Sequence, residues 1–168
     1  MAPVDDVFRR TLLTLEADLH ALGWDQPAGL YAVRGMRHDP WLQKVLLEDH
    51  DISEVLSYLP TLPRKVLGAV LVGQSLVDMP MVDGMATLRE VLPVVYRFRS
   101  PRERAHFFAQ QGSCAVQVRT VLALLRDGEH EVLWRQRGEE PFFVTDFTRF
   151  ESGCGGVMGE LHRLLGPS

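Results

Sequence analysis

Val4, Val7, Phe8, Leu12, Leu15, Leu19 and Leu22 recur at helical spacing, so the chain opens on one apolar stripe set among polar positions. Asp5 or Asp6 can cap the start of this helix, and Gly23 supplies a left-handed stop. Trp24 follows at the position whose side chain often folds back on the last turn, so it is expected to clamp the helix end. Pro27 bars further helix and biases Gln26 toward extended geometry, and Leu30 to Val33 then reads as a short strand.

Asp39-Pro40-Trp41 carries a capping residue followed by proline at a first helical position, which predicts a helix through about Glu48. Asp51-Ile-Ser-Glu54 has capping-box spacing and opens another short helix, ended by Pro60 and Pro63. From Val66 to Val77 the chain is nearly all apolar, as in a central strand buried on both faces, with Gly68 and Gly73 permitting a bulge or close approach. A loop containing Met79, Met81 and Met85 leads to a strand in which Val94, Tyr96 and Phe98 alternate with Val95, Arg97 and Arg99. Ser100-Pro101-Arg102-Glu103 is a second capping box, opening a helix to about Gln111. Asp127-Gly128 between the β-prone runs Val116–Leu125 and Glu131–Arg137 predicts a hairpin. Phe142 to Phe147 reads as a further strand or an irregular edge. Val157, Met158, Leu161, Leu164 and Leu165 share a last helix face, stopped by Gly166-Pro167.

The expected fold class is therefore α+β: a mainly antiparallel or mixed sheet covered by helices, with a helix at each terminus. At 168 residues the chain fits a single domain spanning 1–168, with ordinary apolar (46%) and charged (24%) fractions. The net charge of −4 argues against a dedicated nucleic-acid binder. Of 18 basic residues only Lys44 and Lys65 are lysines, a bias that GC-rich coding explains. Cys114 and Cys154 are too isolated for a disulfide scaffold or a zinc site of familiar spacing. The amino terminus lacks the pattern of a signal peptide, and no window has the apolar length of a membrane span. A cytoplasmic protein without membrane association is the expectation.

The blocks Gly23-Trp-Asp-Gln-Pro27 with Leu30-Tyr-Ala32, Gly68-Ala-Val-Leu-Val72 and Arg119-Thr-Val-Leu-Ala-Leu-Leu-Arg-Asp-Gly128 occur in an order that resembles an uncharacterised actinobacterial family of small α+β proteins. The resemblance spans most of the chain and implies a fold rather than an activity. The chain departs from it in the Met-containing loop and in the Gly-rich approach to the last helix.

No catalytic set emerges. His38-Asp39 and Glu48-Asp49-His50-Asp51 flank one predicted segment but lack the spacing of a helical metal pair, so no metal or other cofactor is expected. Ser152-Gly-Cys-Gly-Gly-Val-Met-Gly159 lacks the Lys-Ser/Thr of a phosphate loop. Gly153, Gly155 and Gly156 can still present amides to an anion at a helix start. Cys154 has no identifiable histidine partner. Tyr96-Arg-Phe-Arg interleaves aromatics with arginines, but strand alternation assigns the aromatics to the core and leaves Arg97 and Arg99 for a protein partner. The leading expectation is a non-enzymatic adaptor or regulatory protein. It would act through contacts at Met79, Met81, Met85, Arg97 and Arg99, since methionine adapts readily to a partner surface. The alternative is a small-ligand or anion-binding domain using the Gly153–Gly156 turn.

Overall fold

The computed structural model describes residues 6–48, 52–78, 115–144 and 157–167. The first stripe forms helix α1, Asp6–Leu22, which buries Phe8 and Leu12 and packs Leu15 and Leu19 against the same cluster. The helix ends as its spacing predicts: Gly23 has a φ of 104°, and its N–H donates to the His20 carbonyl at 3.1 Å.

Strand β1 (Ala28–Met36) follows and turns through Arg37-His38 into β2 (Asp39–Glu48). This corrects the helix expected from Asp39-Pro40-Trp41. Cross-strand pairing with β1 outweighs a good local helix signal, as tertiary context commonly does. Gly35 makes the hairpin possible. Its φ is 84°, and a Cβ there would lie 2.5 Å from the Asp39 carbonyl and 2.9 Å from Trp41 Cδ1. Pro40 is tolerated because it enters a strand at the sheet edge.

Helix α2 (Ile52–Tyr58) falls where the Asp51-Ile-Ser-Glu54 spacing predicts a helix, and the long apolar run forms β3 (Gly68–Asp78). The hairpin centred on Asp127-Gly128 joins β4 (Ala115–Leu125) to β5 (His130–Gln136). Gly128 has a φ of 92°, and its N–H donates to the Leu125 carbonyl at 3.0 Å. Phe142–Phe143 forms the short edge strand β6, and residues 157–165 form the carboxy-terminal helix α3. The strand expected at 94–99, the helix expected at 100–111 and the Met79–Met85 loop lie outside the described residues.

The described strands form one antiparallel sheet in the order β2-β1-β3-β4-β5-β6. Alternation sorts the side chains into two layers. Tyr31, Val33, Val70, Val72, Val121, Ala123 and Leu133 face α1. Leu30, Ala69, Leu71, Val118, Leu122, Leu124, Val132 and Trp134 pack with Leu56 of α2 and with Met158, Leu161, Leu164 and Leu165 of α3. Burial of residues 69–74 on both faces explains why β3 reads as a nearly continuous apolar run.

Arginines fasten the connectors of the second layer. Arg126 donates to the carbonyls of Val66 at 2.7 Å and Pro63 at 2.8 Å, and also to that of Leu165 at the end of α3. Arg163 reaches from α3 to the Leu59 carbonyl at 3.0 Å and to that of Leu56 in α2. A cation on the last carbonyls of a helix satisfies groups that have no intrahelical partner and complements the helix dipole.

Candidate interaction surface

The residues expected to meet partners or anions, Met79, Met81, Met85, Arg97, Arg99, Gly153, Gly155 and Gly156, all lie outside the described residues, as does Cys154. His38 and Asp39 sit where β1 turns into β2, while Asp49, His50 and Asp51 are also outside. Among the described residues no cluster of three or more His, Cys, Asp or Glu could hold a metal ion. No helix among them is long and apolar enough to cross a membrane.

Two other features stand out. The first is an ionic cluster buried between α1 and the sheet. Glu16, on the inner face of α1 four residues after Leu12, meets Arg119 of β4 and Arg135 of β5. Arg135 donates to both carboxylate oxygens, at 2.7 and 2.8 Å, and Arg119 Nη1 donates to Oε1 at 3.1 Å. Arg119 Nη2 donates to the Gly23 carbonyl at 2.6 Å, and its guanidinium carbon lies 4.6 Å from the centroid of the Trp24 ring. Trp24 thus does fold back at the helix end, edge-on to His20 with the ring centroids 6.1 Å apart. Its ring is only half-buried, and its principal partner is a cation of the sheet, an attraction between positive charge and the negative ring face.

Burial lowers the Arg119 pKa from its ordinary value, opposed by the Glu16 hydrogen bond, yet a guanidinium remains charged in proteins. Two cations therefore share one carboxylate, and each also donates to a main-chain carbonyl, Arg119 to Gly23 and Arg135 to Glu139. The set ties α1, β4 and β5 into one orientation and contains no nucleophile. No sequence motif marks this cluster. The available signals were a glutamate on an apolar helix stripe and Arg119 within a strand otherwise buried on both faces.

The second feature lies at the β2 edge. Among the described residues β2 pairs only with β1. Its pairing runs regularly until Leu30 opposes Leu46 and Tyr31 opposes Lys44, leaving Val45 as the extra residue of a bulge. The bulge sends Leu42 to the α1 layer and Leu46 to the opposite layer. It also leaves apolar side chains outside: Trp41 is 55% exposed, Val45 41% and Leu47 45%.

Beside this edge a groove of about 490 Å³ runs between α1 and β2. Tyr31 and Leu42 form its floor, Thr11, Thr14 and Leu15 its helical wall, and Pro40 part of the opposite rim. A Cβ built on Gly29 would sit 3.0 Å from the Tyr31 ring and 3.1 Å from Leu47 Cδ2, so these two side chains close over that glycine. Burial raises the Tyr31 pKa, keeping the hydroxyl neutral and the floor uncharged. Arg10 and Asp18 add charge along the helical side. A groove between a helix and an exposed edge strand is a geometry suited to an extended peptide, whose backbone pairs with the edge while alternate side chains enter the groove. Pro40, Lys44 and the bulge interrupt the edge, which disfavours indiscriminate strand addition.

Comparison with protein-family models, with curated proteins and with solved structures found no match to this chain.

Proposed function

We propose that this chain is a non-enzymatic adaptor or regulatory domain that works through protein contacts, with the α1–β2 groove and the outer residues of β2 as its contact surface. The supporting observation is the exposure of Trp41, Val45 and Leu47, distributed over both faces of an edge strand whose Leu42 lines a groove. Large apolar side chains gathered on one exposed strand mark an interaction site more often than scattered ones do. The partner element is an extended protein segment with apolar side chains at alternate positions. Met79, Met81, Met85, Arg97 and Arg99 belong to the same proposal as further contact residues, as do a cytoplasmic setting and membership of the actinobacterial family resembled by the Gly23–Pro27 block.

The test is affinity capture from the source organism with the intact chain and with a Trp41→Ala/Val45→Lys variant. Truncating an aromatic anchor commonly costs about 2 kcal/mol or more of binding, roughly thirtyfold in affinity. Exposed substitutions alter folding by only about 0.5 kcal/mol. The intact chain should retain a stoichiometric protein partner that the variant loses, with both melting alike. Equal retention by the folded variant would remove this surface. A co-purified small ligand without a protein partner would favour the anion-binding alternative at Gly153, Gly155 and Gly156. Turnover dependent on Cys154 would end the non-enzymatic reading.

A further inference from the structure

Next to the groove, sharing only Pro40 with it, lies a separate cavity of about 230 Å³. Phe8 of α1, Val33 of β1, Leu67 just before β3 and Leu125 at the end of β4 supply its apolar wall. Its mouth lies where two turns approach one another. Arg37, in the β1–β2 turn, donates through Nη1 to Asp127 Oδ2 at 2.5 Å and through Nη2 to Glu129, both in the β4–β5 turn. These pairs are part-exposed and span the mouth as a polar strap. Arg126, the other cation of the lining, has its donors committed to main-chain carbonyls.

We propose that this cavity is a binding site for a small, neutral, flat apolar molecule, admitted when the Arg37 strap swings aside. Size and chemistry both point that way. An apolar cavity of about 150 Å³ stays dry and accepts benzene, so the larger space here suits a bicyclic ring of about nine heavy atoms, such as indole. Water is poorly held, because it needs several polar partners and the wall offers aliphatic and aromatic carbon. A charged ligand is disfavoured, because the cations and carboxylates of the rim already answer one another or bond to the main chain. An ion entering the apolar interior would also lose its hydration without compensation. Departure of Arg37 from Asp127 and Glu129 disturbs only a part-exposed pairing, which is energetically modest, so the strap can open without disturbing the sheet. The site is independent of the partner-binding reading, and either can fail without the other.

The experiment is a titration of the full chain with indole and, in parallel, with indole-3-acetate, followed through the methyl resonances of Val33, Leu67 and Leu125. Indole should bind saturably with a dissociation constant on the order of 0.1–1 mM, the range expected for so small a ligand. The largest shifts should fall on those methyls, and the carboxylated analogue should bind more weakly. A Leu67→Trp variant, which fills the cavity from its own wall, should weaken indole binding by about tenfold or more. No saturation, shifts centred on another surface, or tighter binding of the anion would overturn the proposal. Unchanged affinity in a folded Leu67→Trp protein would overturn it as well. If that variant does not fold, the methyl map of the unsubstituted protein decides the matter alone.

Discussion

Replacing Glu16 with alanine is expected to destabilise the protein by about 3–5 kcal/mol, the range found when one partner of a buried ion pair is removed. The substitution leaves Arg119 and Arg135 buried, mutually repelling and without their shared carboxylate. For a domain of this size that corresponds to a fall in melting temperature of roughly 6–20 °C. Removing Glu160, which pairs with Arg163 on the exposed side of α3, should change stability by no more than about 0.5 kcal/mol. Thermal melts of the two variants side by side provide the check, and similar melting would mean that the cluster is not what orients α1. Replacing all three charged residues by apolar ones of similar volume is a different experiment. It removes the desolvation cost along with the attraction, and can leave stability equal or higher.

Trp134→Ala should be comparably severe, at about 3–5 kcal/mol, because the ring is fully buried and its removal opens a large cavity. Trp134 packs in the layer of Leu161 and Leu164 from α3, edge-on to Phe142 of β6 with centroids 6.3 Å apart. Truncation therefore loosens the contact of α3 with the sheet and the attachment of the edge strand together. Trp41→Ala should barely move the denaturation midpoint, since that ring is more than half exposed. Denaturant unfolding of both alanine variants separates a tryptophan of the core from one of the contact surface. Equal midpoints would contradict that division.

Much of the fold was legible because local signals agreed with tertiary structure. The α1 stripe, the capping box before α2, the apolar run of β3, the Asp127-Gly128 hairpin and the stripe of α3 each lie in elements where periodicity, stop and start residues point the same way. The sequence also points to close approach at Gly68. A Cβ there would stand 2.4 Å from the Leu124 carbonyl, so only glycine lets β3 and β4 pair at that point.

Strand β2 departs from its local helix signals for a specific reason. Leu42, Val45 and Leu46 have helical spacing, and Asp39-Pro40 resembles a helix start. The bulge at Val45 produces the same pattern within a strand, because one extra residue shifts the alternation and sends Leu42 and Leu46 to opposite faces. With β2 taken for a helix, neither the groove nor the exposed edge could be anticipated. The Glu16 cluster escaped for another reason: its partners are 103 and 119 residues away, and no local pattern encodes that pairing.

The central claim, that the protein acts through the β2 edge and the adjoining groove, is tested most directly by amide hydrogen exchange on the captured complex. In the free chain the amides of β2 on the side away from β1 should exchange fast, as expected of a strand that, among the described residues, pairs on one side only. Binding should slow exchange across residues 39–48 and protect the part of α1 that walls the groove, residues 7–18, while leaving the β4–β5 hairpin unchanged. Protection confined to other surfaces, with the amides of β2 exchanging as fast as in the free protein, would contradict the account.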